Sequence, residues 1–312
     1  MSAIAREGLM GSSVRIAGGV AAGVLSGAAL AAMPSTAQAQ PAAEPHRVVT
    51  VPCSGSALGT AVKAANVIPA TLRLAPKCSY RITATLTVSG DVALLGGPGT
   101  AITPATAFTG RLLDVTSTGK LSVRGISILS GTGNSGDEGI GIRNAGNLVL
   151  NFVTISGNTA NNGSGAGLSN LQNATASIAH TLIVGNNATG SSAASTGRGG
   201  GIINGGNLTI TDSRLFANTV EDGGGAIDTL PTGTTHIVQS TLDHNVAAGS
   251  GGGVFNSGTT SLDHTLIVRN HADVSGGGIF QNSGTITVNQ SITNDNTPDN
   301  CAPPNSVPGC TG

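Results

Sequence analysis

The sequence predicts an all-β fold in which short parallel strands wind into one coil, with a turn about every 25 residues. Three observations carry that prediction. A Gly-rich turn followed by an aliphatic recurs as Gly139-Ile140-Gly141-Ile142, Gly165-Ala166-Gly167-Leu168, Gly199-Gly200-Gly201-Ile202, Gly224-Gly225-Ala226-Ile227, Gly251-Gly252-Gly253-Val254 and Gly276-Gly277-Gly278-Ile279. The closing aliphatics are 26, 34, 25, 27 and 25 residues apart. Between these motifs lie runs of three to five residues with period-two alternation and no 3.6-residue stripe, which excludes helical repeats. The composition fits as well: of 312 residues 48 are Gly, 2% are aromatic and 9% are charged. Stacked Val, Ile and Leu fill a narrow coil without large rings, and like charges repeated every turn would repel.

The elements follow in chain order. Residues 1–39 read as a signal peptide: Arg6 and Arg15 precede an apolar Gly/Ala-rich stretch, and Ala37-Gln38-Ala39 supplies the cleavage site. A linker spans 40–47. Residues 48–300 are expected to form the coil, with an N-terminal cap at 48–80 and clear repeats from 121. Residues 301–312 form a Pro-rich stub. After cleavage no apolar segment has the length to span a membrane, so the mature chain is expected to be secreted, periplasmic or at the cell surface. Export leads to an oxidising compartment, where the cysteines pair as Cys53–Cys78 and Cys301–Cys310, one bridge near each end. The spacing is neither C-x-x-C nor that of a zinc site, and no cofactor is expected. A formal charge of −1 leaves no electrostatic footprint for nucleic acid.

Within the repeats an asparagine recurs as Asn158, Asn186, Asn218, Asn245, Asn270 and Asn296. An aliphatic precedes it by three positions (Ile155, Ile183, Leu215, Leu242, Ile267, broken at Thr293) and another by eight (Leu150, Ile178, Ile210, Ile237, Leu262, Val288). Five before it stands a hydroxyl: Thr181, Ser213, Ser240, Thr265 and Ser291. One residue per turn puts the asparagines in a ladder about 4.8 Å apart, with amides bonding along the coil and left-handed dihedrals at the corner. In the unit at Leu121–Ile128, Gly131 takes the asparagine's place. Thr189 to Thr196 read as an insertion lengthening one turn.

The Gly-Gly-Gly-Ile…Asn…Ser-x-Leu-x-x-Asn-Thr-Val pattern, cleanest in Gly199–Val220, resembles polymorphic outer-membrane protein repeats. The wider resemblance is to bacterial right-handed parallel β-helix proteins of the pectin-lyase-like fold. Pro52-Cys53 to Leu58 and Ala61 to Asn66 are similar to the cap preceding such coils, and Thr71–Ala75 to their first strand. The resemblance covers roughly 48–310 and implies a right-handed winding. It implies little about activity, since the fold carries lyases, hydrolases and adhesins.

Six residues before the ladder asparagine stand Phe152, His180, Asp212, Gln239, His264 and Gln290, and one before it His244, Arg269 and Asp295. The candidate chemistry is therefore a cleft lined by His244, His264, Arg269 and His271 with Asp243 or Asp263, where a base and a carboxylate could serve a lyase or glycosidase. Asn134-Ser-Gly-Asp137-Glu138 lacks the ligand spacing of a calcium loop, and the Asn-Thr-Asp, Gly-His-Gly and Arg-Ile-Lys sets of polygalacturonases are absent. The expected function is a non-catalytic exported protein that attaches to a surface, an extracellular glycan or a surface protein. The alternatives are a polysaccharide lyase or glycoside hydrolase, and a structural envelope component.

Overall fold

The computed structural model describes residues 46–192 and 195–310; the expected signal peptide and residues 40–45 of the linker lie outside the described residues. The chain forms a parallel β-solenoid. Each turn gives one strand to each of three stacked parallel sheets: a first sheet of ten strands, and second and third sheets of nine. A short five-stranded sheet lies between the second and third. One turn illustrates the order: Asn147–Asn151 in the first sheet, Thr154–Ser156 in the second, Thr159–Ala160 in the short sheet and Leu168–Asn170 in the third.

The expected columns are the observed registers. Leu150, Ile178, Ile210, Ile237, Leu262 and Val288 pair in series along the first sheet. Ile155, Ile183, Leu215, Leu242, Ile267 and Thr293 do so in the second. The aliphatics that close the glycine motifs, Ile142 to Ile279, stack in the third. Together they make one continuous buried core. At Thr293 the second column ends in a buried hydroxyl without a partner.

The asparagine ladder is complete. Each Nδ2 donates to the next asparagine's Oδ1 from Asn158 through Asn296, at 2.9–3.0 Å. Each Oδ1 also accepts the backbone N–H one turn back, beginning with Gly131 on Asn158. The left-handed dihedral falls one residue earlier than expected, on Gly157, Gly185, Ala217, His244, Arg269 and Asp295, so the asparagine is free to bond along the coil. A second left-handed corner takes Phe152, His180, Asp212, Gln239, His264 and Gln290, all exposed, at φ between 46° and 55°. The hydroxyl column bridges this corner: Ser213 Oγ donates to Thr211 O and accepts the Thr181 N–H. The glycine motif has its own reason. Its first glycine is left-handed (Gly199 at +63°), and a Cβ on the second would stand 2.3 Å from a backbone oxygen, as on Gly200 against Thr219.

The coil starts earlier than the clear repeats indicate. Arg47–Val51 already pairs with Ala70–Leu74, and α1 (Gly55–Ala65) lies between them, with Ser54 as N-cap. Leu58, Val62 and Ala65 on α1 are buried. The only tyrosine, Tyr80, is fully buried; its hydroxyl donates to Val51 O and accepts the Ala75 N–H, pinning the first strand to the cap. Cys53–Cys78 and Cys301–Cys310 are both formed. The stub belongs to the coil at its start: Cys301–Ala302 pairs with Ile279–Phe280, and Val307 enters the core. The insertion folds into an antiparallel pair, Ser191–Ser192 with Ser195–Thr196.

Candidate functional site

Strand alternation decides what the coil shows to solvent. On the first sheet two outward columns run along consecutive turns. One reads Lys120, Asn147, Thr175, Asn207, Thr234, Thr259 and Thr285; the other reads Ser122, Val149, Ser177, Thr209, His236, Ser261 and Thr287. Every member is exposed except the half-buried His236 and Ser261, which hydrogen-bond to each other. The hydroxyls of Thr175, Thr209, Thr234, Thr259, Thr285 and Thr287 make no hydrogen bond among the described residues. From Asn147 to Thr287 this face is a nearly uncharged grid, mostly of hydroxyls and amides with Val149 and His236 among them, about 4.8 Å between strands and about 6.6 Å along them.

The second sheet carries the charged cluster. Asp243 ends the strand Thr241–Asp243 with its side chain only 2% exposed. Arg214, one turn earlier, holds it bidentately, Nε to Oδ1 at 2.9 Å and Nη2 to Oδ2 at 2.7 Å. His244 Nδ1 lies 3.3 Å and Arg269 Nη2 3.5 Å from the same Oδ2. Arg214 also sits over the Phe216 ring at 4.3 Å, and His244 meets that ring edge-on. Burial alone would raise the Asp243 carboxyl; hydrogen bonds from Arg214 and His244, with their charges, outweigh it and hold the group below the usual carboxylate range. The same hydrogen bond raises the Arg214 guanidinium above its ordinary value.

The six expected site residues are thus only partly gathered. His244, Arg269 and Asp243 converge. His264 occupies the other left-handed corner, across the strand Leu266–Val268 from Arg269, and Asp263 ends the neighbouring first-sheet strand. His271 lies in the short sheet, bonded to Asp273 at 2.9 Å and Thr297 at 2.7 Å. Two participants escaped the sequence reading. Arg214 and Phe216 lie one turn before Asp243, and only the strand register shows that Arg214 reaches it diagonally.

Comparison with protein-family models, with curated proteins and with solved structures finds no match. The site is therefore read on its own chemistry.

A second buried carboxylate lies on the third sheet. Asp228 is fully buried between Ile203 and Phe255, with Arg198 Nε 2.8 Å from Oδ2. Arg198 lies over the Phe255 ring, which stacks on Phe280. Burial pushes the Asp228 carboxyl up to about 7; Arg198 pulls it down less strongly, and Asp222 adds to the rise. A further amide ladder, Asn144 to Asn170 to Asn204, runs inside the third sheet. Asn-x-Gly marks two of its three members, Asn144-Ala-Gly146 and Asn204-Gly-Gly206, and recurs at Asn256-Ser-Gly258, whereas Asn170 is followed by Leu171-Gln172. Among the described residues no group of three or more His, Cys, Asp or Glu is placed to hold a metal ion, and no helix is long and apolar enough to cross a membrane.

Proposed function

We propose that this chain is an exported β-solenoid that binds an extracellular glycan or a surface protein across the outer face of its first sheet, without catalysing a reaction. The observation that carries this reading is the register-locked grid of unpaired hydroxyls on that face. A rigid, flat, repetitive donor–acceptor surface suits an extended partner whose own groups repeat, because little side-chain freedom is lost on contact. Two disulfides and the signal-peptide pattern of residues 1–39 support export. In this reading the repeats are of the polymorphic outer-membrane type, on a right-handed coil of the pectin-lyase-like fold.

The non-catalytic half rests on the dispersal of the expected residues. Asp243 is sealed under three bases and held in its ionised form, while His264 stands at another corner, Asp263 on the first sheet, and His271 in the short sheet, bonded to Asp273. Offered immobilised pectin, alginate and glycosaminoglycans, the chain is expected to be retained by at least one polymer and to release no unsaturated uronate product. Product absorbance at any pH, lost in His264→Ala, would overturn the non-catalytic reading. Absence of retention on every polymer and on intact cell surfaces would overturn binding.

A further inference from the structure

The geometry points to an oxyanion site on the second sheet, formed by Arg214, His244 and Arg269 over Asp243, that takes a sulfate ester of an extended glycan. It rests on the binding reading above and names a chemistry for a different face of the same coil.

Three bases touch one carboxylate oxygen, at 2.7, 3.3 and 3.5 Å, so the single charge of Asp243 is over-neutralised. Among the described residues, Arg214 and Arg269 form ion pairs with Asp243 alone, and the next acidic group in the corner column, the exposed Asp295 one turn beyond Arg269, is not ion-paired to either of them. The surplus is accessible: the three basic side chains are 49%, 50% and 51% exposed, while the carboxylate beneath them is closed off. They are also fixed in place. Asp243 engages the Nε–Nη2 edge of Arg214 and Phe216 supports its face, while His244 and Arg269 start from left-handed backbone that orients them.

What remains free selects the ligand. The bidentate edge of Arg214, which would best match a planar carboxylate, is consumed by Asp243. The remaining donors, Nη1 of Arg214, the guanidinium of Arg269 and the His244 ring, arrive from three successive turns and so approach a ligand from different directions. A tetrahedral group offering oxygens in several directions meets them better than a carboxylate does. The half-buried Phe216 beside them gives the carrying ring an apolar contact.

The test measures binding of the whole chain to dextran sulfate, polygalacturonate and neutral dextran at fixed ionic strength. The expected order is dextran sulfate first, with competition by inorganic sulfate beyond that of chloride at equal ionic strength. Arg214→Gln/Arg269→Gln is expected to weaken dextran sulfate binding about tenfold or more. Arg269→Gln alone, which leaves the bidentate pair intact, is expected to weaken it several-fold. The control Arg73→Gln/Arg81→Gln removes the same charge from exposed positions on early turns and leaves binding unchanged. Equal losses in both double variants, stronger binding to polygalacturonate, or no retention of the wild type by dextran sulfate would each overturn the site. Changes on the first sheet leave this measurement unaffected, so failure here is distinct from failure of first-sheet binding.

Discussion

Asn218→Ala is expected to destabilise the solenoid by about 3–5 kcal/mol, among the largest single-site losses available to it. Asn218 is fully buried. Its Oδ1 accepts both the N–H and an Nδ2 hydrogen of Asn186, and its Nδ2 donates to Asn245 Oδ1 and to Ile183 O. Alanine keeps only the backbone bonds, the N–H to Asn245 Oδ1 and the carbonyl that accepts the Val246 N–H. Two donors on Asn186 are then stranded away from water, each costing about 1–3 kcal/mol, and the Ile183 carbonyl loses one of its donors. Because each turn touches only its neighbours, the loss is expected to be local, appearing as faster amide exchange around 183–186 and 215–218. Denaturant unfolding of Asn218→Ala beside the exposed corner variant Gln239→Ala checks this. Gln239→Ala is expected to cost less than about 0.5 kcal/mol, and equal costs would refute the ladder as a stabilising element.

Stability is expected to fall as pH rises from about 4 to about 7, because of Asp228. Its folded-state pKa of about 7 lies above the ordinary 3.8, so in that window the folded chain keeps a proton that the unfolded chain has released. The group's contribution is fully present below about pH 4 and is lost as pH climbs through 7, for a total on the order of 4 kcal/mol. Asp243 has the opposite sign. Its lowered pKa gives stability that is present above the usual carboxylate range and lost under acid, so the two groups act in separate windows. Unfolding midpoints at pH 5 and pH 8 are expected to favour pH 5, and Asp228→Asn is expected to flatten the difference. A slope that persists in Asp228→Asn would assign it to other groups.

The architecture was legible in the sequence because a solenoid writes its period directly into the chain. The glycine motif, the aliphatics three and eight before each asparagine and the asparagines themselves are one structural position each, repeated every turn. Local reasoning reached less far at the corners. Asparagine is the usual non-glycine occupant of left-handed backbone, yet here His244 and Arg269 take that conformation and the asparagine bonds along the coil. The charged cluster was legible in part. Asp243, His244 and Arg269 are close in repeat register, but Arg214 joins them across a diagonal that depends on side-chain reach. Arg198 and Asp228 were missed for the same reason: thirty residues separate them and neither belongs to a column of like residues.

The most direct test of the binding account is retention of Thr209→Gln/Thr259→Gln on the polymer or surface that holds the wild type. Both threonines are exposed on the first-sheet grid, and neutral glutamines break its flatness without adding charge or touching the core. The account predicts that retention is lost while the unfolding transition stays in place. Undiminished retention would contradict it, because the flat hydroxyl face would then not be where the partner binds.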